Sequence, residues 1–374
     1  MPDVPVPAQG CQYPRVMSEI GRTCWWLAEA MSQPEFAGAS ARALEASTSA
    51  DVVIVGGGFT GLWTAWHLTQ QSPGIDVVVL EQLECGFGAS GRNGGFISGY
   101  VDQAGHLADL FGVDGALSMI RAGDHAVTSV AGWLEARGID AWFRPDGSMA
   151  VASSMAQLNV LDAQYVQAER VGVRDRITPL SESQVRERCD SPVFRGGYLI
   201  HDGGTLHPAR LARALRQACL DAGVRIYENT EVHTPRPDGQ TVVETSAGTV
   251  RAGSVVLGAN AWMASWPMFK RRLVVRGTFI AATAPAPERL AELNWTTGMG
   301  ICDVRSSLRY LRTTPDGRIL MGVGGQRGSF NGSVGTSFDF DEDGRRNAVK
   351  AIRRFFPSFA DVPIEASWGG PVDL

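Results

Sequence analysis

The sequence predicts an α/β fold in which a parallel βαβ unit carries an inserted second domain of helices and antiparallel strands. Three observations predict it. A β-branched run, Asp51 to Val55, leads straight into a glycine turn at Gly56 to Gly61. A helix-length stretch, Leu62 to Gln70, then precedes a second apolar run at Ile75 to Leu80. Further on, hairpins surround Ala247-Gly248 and Asp316-Gly317.

At 374 residues, with 44% hydrophobic and 20% charged residues, the chain is long enough for two packed domains with sizeable cores. A formal net charge of −5 and the absence of a Lys/Arg run exclude an electrostatic footprint for nucleic acid, so small-molecule partners are expected. The six cysteines (11, 24, 85, 189, 219 and 302) show neither Cys-x-x-Cys nor zinc-finger spacing and read as reduced thiols. The six histidines have no metal-ligand pattern, and no metal is expected. The first residues lack the basic start and apolar stretch of a signal peptide, and the apolar run Ser254 to Phe269 is broken by Asn260, Ser265 and Pro267. A cytoplasmic protein without a membrane span is expected.

Residues 1–50, with early prolines and the small-residue stretch AGASARALEASTSA, read as an extension and linker before a core that begins near Asp51. Residues 51–100 and 196–265 are assigned to one discontinuous domain, and 101–195 and 266–367 to the inserted one. Within the latter, Trp142 to Val151 reads as a hairpin around Pro145-Asp146-Gly147. Pro208 to Ala222 reads as a helix with Leu211, Leu215 and Cys219 on one face and His207 at its start, followed by a strand at Val224 to Tyr227. Thr241–Glu244 with Thr249–Leu257, and Leu308–Thr313 with Arg318–Val323, are the two hairpins. No repeat of fixed period is present.

Two motifs carry chemistry. In VVIVGGGFTG (52–61), Gly56, Gly58 and Gly61 fill a G-x-G-x-x-G template after a strand, with Phe59 and Thr60 between. The first glycine permits the tight turn, the second admits a pyrophosphate to the backbone, and the third lets the helix pack closely. Glu81 ends the second strand 20 residues after Gly61, where a carboxylate accepts hydrogen bonds from a ribose. The bland alternatives are a flexible loop and an exposed strand-end acid. In GFGASGRNGGFISG (86–99), Ala89, Gly94 and Gly95 free the backbone, Arg92 can offset phosphate charge, and Ser90 and Asn93 supply directional hydrogen bonds. The alternative is a plain surface loop.

The glycine fingerprint, the acid and GASGRNGG together resemble the D-amino-acid-oxidase-like (DAO) family of FAD-dependent oxidoreductases, with its gamma-glutamylputrescine-oxidase-like branch the most similar. GGTLHPARL (203–211), Glu231-Val232, VVLGANAW (255–262) and YLRTTPDGRILMGVGG (310–325) match in order. The resemblance implies a Rossmann-like FAD-binding domain with an inserted α+β substrate domain built on an antiparallel sheet. It implies FAD as cofactor, Val232 and Asn260 beside it, and an amine or amino acid as substrate. Hydride would pass to flavin N5 and onward to oxygen or another acceptor. Tyr310 and Arg312 are the candidates to reach the flavin face, the alternative being exposed hairpin residues. Thr314 stands where glycine-oxidase-like relatives carry a carboxylate-binding arginine, which favours an amine over a simple α-amino acid. In the family WGGPVD (368–373) leads into a closing FAD-domain segment, so the sequence is expected to be C-terminally truncated, with residues 368–374 the start of that segment. An FAD-binding remnant needing a separate C-terminal chain is the alternative. An NAD-dependent dehydrogenase shares the first motif, but not GASGRNGG so soon after Glu81. Cys85 is read as a free thiol.

Overall fold

Val52 to Val55 are all buried, as a strand covered on both faces must be, and they form the second half of β1 (Thr48–Val55). In the computed structural model, which describes residues 24–233, 241–305, 309–330 and 332–373, β1 is the centre of a five-stranded sheet. The remaining strands are β2 (Val77–Leu80), β3 (Phe96–Ile97), β4 (Ser148–Ala152), β5 (Ile177–Ser181), β6 (Gly196–Ile200), β7 (Gly204–Thr205) and β8 (Arg225–Tyr227). They continue as β9 (Val242–Glu244), β10 (Thr249–Leu257), β11 (Val275–Thr283), β12 (Gly300–Asp303), β13 (Arg309–Thr313), β14 (Ile319–Gly328) and β15 (Ile364–Asp373).

The first sheet has the order β8-β2-β1-β10-β9, parallel except for the β10–β9 hairpin. The second has eight strands, β15-β11-β14-β13-β12-β4-β6-β5. Its pairs are antiparallel apart from β12 with β4. This is the mixed α/β arrangement the sequence predicts. Among the described residues, no helix is long and apolar enough to cross a membrane.

Four details differ from the sequence reading. Residues 24–37 are core and not linker: the helix Trp25–Ser32 buries Trp26, Leu27 and Ala30 in the largest apolar cluster. Residues 1–23 of the expected extension, with Cys11, lie outside the described residues, as do Leu308 and Leu374. Trp142 to Val151 is not a hairpin, because β4 pairs with β6 and β12 while Arg144 bridges Thr205. Gly147 has a positive φ of 67° there, and a Cβ would lie 2.3 Å from the Ile200 carbonyl oxygen. β6 belongs to the large sheet, and Trp368 to Asp373 extend β15 along β11 in that same sheet, so neither segment lies in the five-stranded sheet.

The helix Pro208–Asp221 explains the buried amino-terminal helix. His207 caps it, its Nδ1 accepting from the Arg210 N–H at 3.1 Å, with proline in the first turn. Leu211, Leu215 and Cys219 face the core as expected, yet Arg210, Arg213 and Arg216 are also buried. Arg210 donates to Glu29 at 2.9 Å, Arg213 to the Phe36 carbonyl at 3.0 Å and Arg216 to the Ala39 carbonyl at 2.8 Å. Arg216 also grips Glu228 through two bonds of 2.7 and 2.8 Å.

Removing one member of a buried pair strands the other. Arg216→Ala is therefore expected to cost about 3–5 kcal/mol in urea unfolding. The cap sets a pH dependence. Burial pushes the His207 imidazole down from 6.5 to about 4, with Glu29 opposing. Burial raises the Glu29 carboxyl, but bonds from His207 and Arg210 outweigh it and hold it near 2. The unfolded chain thus binds protons before the folded one, at His207 between pH 6.5 and 4 and at Glu29 below 4.5. Stability is expected to fall as pH drops through those windows. His207→Asn, which keeps a capping acceptor, is expected to flatten the upper window in urea midpoints measured against pH.

Candidate functional site

Gly56 sits at φ 106°, and a Cβ there would lie 2.6 Å from the Gly258 carbonyl oxygen. That conformation turns the chain from β1 into the helix Phe59–Gln71. A Cβ on Gly61 would lie 1.9 Å from the Gly56 carbonyl oxygen, so the helix approaches the strand end only with glycine there. The Phe59 N–H at the helix start is held by Ser90 Oγ at 2.8 Å, which ties the first motif to the second.

These residues open onto a cavity of about 310 Å³, lined by Gly56, Gly58, Phe59, Thr60, Glu81, Ala89, Ser90, Arg92, Val232 and Asn260. Glu81 Oε2 accepts from the Gly57 N–H at 2.7 Å and Oε1 from the Leu83 N–H at 2.9 Å. Burial raises its carboxyl, those bonds pull it back, and Glu228 adds repulsion. Each oxygen still has a lone pair for a hydroxyl. Asn260 donates to Asp373 at 2.9 Å, whereas its own Oδ1 is buried without a partner. The indoles of Trp262 and Trp266 also line the cavity, as do Thr230 and Pro371. Those four were missed by residue-level reading, although Trp262 and Pro371 lie in the quoted VVLGANAW and WGGPVD segments.

Of the other expected site residues, Gly61, Asn93, Gly94 and Gly95 lie outside this cavity's lining, and Arg92 borders it with its charge already used. Gly61 packs behind the turn. The Arg92 guanidinium pairs with Asp339 at 2.5 Å and donates to the Phe87 and Gly369 carbonyls, so its charge is already matched. Burial pushes the Asp339 carboxyl up, with Arg92 pulling the other way. Asn93 shapes its own loop, donating to Ala89 and Ser90 and accepting from the Gly95 N–H at 2.8 Å. Gly95, at φ 72°, would place a Cβ 2.2 Å from the Leu206 carbonyl oxygen.

A second cavity of about 620 Å³ lies across this loop, over the large sheet. Asn93, Gly94, Phe96, Tyr310 and Val372 line it. A Cβ on Gly94 would lie 2.6 Å from the Tyr310 ring, and one on Gly322 would lie 1.9 Å from it, so two glycines sandwich the phenol. Burial raises the Tyr310 hydroxyl well above its usual range, while a hydrogen bond with Thr278 lowers it. Arg312 is not an exposed hairpin residue. It is buried behind the loop, donating to the Gly95 carbonyl at 3.1 Å and to the Leu206 carbonyl, with its guanidinium 5.0 Å over Trp26. The two cavities thus adjoin where Arg92 and Pro371 line one, and Asn93, Gly94 and Val372 the other. Among the described residues there is no cluster of side chains that could hold a metal ion.

Residues 51–374 match the family described as FAD dependent oxidoreductase (DAO). The chain is 32% identical over 333 residues to the gamma-glutamylputrescine oxidoreductase of Escherichia coli (strain K12), covering 87% of this chain and 74% of that protein. It is 24% identical to the glycine oxidase of Geobacillus kaustophilus (strain HTA426), covering 86% of this chain and 80% of that protein. Among solved structures, a glycine oxidase from Geobacillus kaustophilus superposes with a TM-score of 0.67 at 22% identity, over 87% of this chain and 83% of that one. An L-proline dehydrogenase from P. horikoshii gives 0.67 at 19%, over 87% and 82%.

Two substitutions separate packing from ligand contact at the turn. Gly61→Ala is expected to yield colourless or insoluble protein, because backbone meets the new Cβ. Ser90→Ala removes one helix-start acceptor and is expected to weaken FAD retention about fivefold, read as flavin fluorescence released on dilution.

Proposed function

The chain belongs to the FAD dependent oxidoreductase (DAO) family, and we infer from that premise that it oxidises the C–N bond of an amine or amino acid to an imine across its two adjoining cavities. The observation that carries this reading is the thin partition between them: a glycine loop on one side and the end of β15 on the other. A cofactor in the first cavity and a substrate in the second then meet along one edge.

The residues of the first cavity fit FAD. The glycine turn offers backbone N–H groups at a helix start for a pyrophosphate, Glu81 offers acceptors for ribose hydroxyls, and the orphaned Asn260 Oδ1 awaits a donor. Two indoles give flat apolar walls. When bound there, FAD would supply the two-electron acceptor for hydride from the carbon that bears the nitrogen. The nitrogen loses a proton as the C=N bond forms, and water then hydrolyses the imine to a carbonyl compound and an amine or ammonia.

The chain's own contribution is placement and exclusion of water. Phe96 and Tyr310 meet edge to face, with ring centroids 5.9 Å apart, and form an apolar wall beside Gly94. An amine held there is desolvated, which favours its neutral, oxidisable form. Arg312 fixes the carbonyls of the partition from behind.

The test is anaerobic mixing of FAD-loaded protein with alkylamines and amino acids while the visible flavin band is followed. Bleaching that speeds up as pH rises toward the amine's own pKa, with an aldehyde or keto product, is expected. A band unchanged by every amine and amino acid would overturn the reading.

A further inference from the structure

The second cavity has an uneven charge balance. Asp102, Asp202, Asp303 and Arg305 line it. Asp303 is paired with Arg305 at 2.7 Å and also accepts from the Arg309 N–H at 3.2 Å. Asp202 is paired with Arg176 at 2.6 Å, an arginine that Asp124 holds as well. Among the described residues no cation lies within ion-pair distance of Asp102, whose side chain accepts from the adjacent Gln103 side-chain amide at 3.2 Å and from backbone N–H groups of its own turn. One carboxylate of the chamber is therefore unmatched.

Its position is equally specific. Tyr310, packed on Gly94 of the partition, stands on β13, and Cys302 stands on β12, one strand further from the cofactor side. Met149 and Ala150, on β4, are one strand beyond. Strands lie about 4.8 Å apart, so the chamber runs roughly 5–10 Å past the partition. The short turn that carries Asp102 (residues 101–103) packs on the helix Met155–Val171, which in turn covers β4 and β6, so Asp102 stands over this distal part beside Gln164. Asp102 is exposed at the mouth of the chamber, where the neighbouring walls still take water from one side of its carboxyl and raise it. A bound cation relieves that cost.

A carboxylate beside the reacting nitrogen would stabilise ammonium and oppose oxidation. An unmatched carboxylate set away from the partition suits a charge that does not react. We propose that Asp102 is a specificity-determining residue that receives a second, distal positive charge of the substrate, making the preferred substrate class an amine whose alkyl chain carries another cationic group. The methylenes between the charges lie along Phe96, Tyr310 and Val304. This assignment rests on the C–N oxidation reading for the identity of the reacting end.

The test uses the FAD-loaded protein and α,ω-diaminoalkanes of four to eight carbons against n-alkylamines of matching length. Binding is measured by calorimetry and flavin reduction by anaerobic bleaching. The wild type is expected to bind its best diamine more tightly than the matching monoamine. Asp102→Asn is expected to lose about tenfold on the diamine and less than twofold on the monoamine. Asp102→Glu keeps the preference, and Asp102→Ser serves in place of Asp102→Asn should that variant fail to fold. Absence of a diamine preference in the wild type, or equal losses on both amines, overturns the assignment. Selective diamine binding without bleaching refutes C–N oxidation and leaves the cation site standing.

Discussion

Glu228 has no exposed surface, and its two oxygens accept from Arg216, from the Cys85 N–H at 2.9 Å and from the Ala41 N–H at 2.6 Å. A carboxylate so desolvated is tolerated only because every bond is made. Those bonds join the segment after the amino-terminal helix, the loop after β2, and the end of β8. Burial raises the Glu228 carboxyl, but Arg216 outweighs it and the group stays below its ordinary range. The loop after β2 is the one that passes Glu81 and leads to Ser90, so the cofactor cavity inherits its shape from a buried ion pair.

What the sequence discloses is what is local. The turn at Gly56 to Gly61, its flanking strand and helix, the β9–β10 and β13–β14 hairpins and the capping role of His207 each depend on neighbours within a few residues. Arg92 shows the opposite case: it looked free to meet phosphate because its partner, Asp339, lies 247 positions away. The amino-terminal helix, read as linker from the early prolines and the small-residue stretch, is held by partners that lie far along the chain. Arg210, Arg213 and Arg216 recur every three residues, the pattern of a solvated helix face. Only the folded molecule shows that face covered by the carbonyls of residues 36–39. Arg312, left open between the flavin face and an exposed hairpin position by the sequence, is buried against Trp26 and the Leu206 carbonyl.

The partition between the two cavities is thin. Gly94 and Gly95 are thin because neighbours press on both sides: the Tyr310 ring on one, the Leu206 carbonyl and Arg312 on the other. A side chain at either place would displace the wall. Trp368 adds a further tie, donating from its indole to the Arg92 carbonyl at 2.9 Å, so the end of β15 and the loop move as one piece. The shape of the partition comes from packing against backbone more than from polar side chains.

The amino-terminal helix has a consequence for biosynthesis. Trp25, Trp26 and Leu27 leave the ribosome long before the helix Pro208–Asp221 and β15, against which they pack. β1 likewise emerges without β10, its parallel partner from the middle of the chain. Contacts this distant in sequence make folding slow and leave apolar surface bare while translation proceeds. Trp25 and Trp26 therefore stay bare until the helix Pro208–Asp221 and β15 have been made, and the cavity at the glycine turn closes only after those later segments arrive.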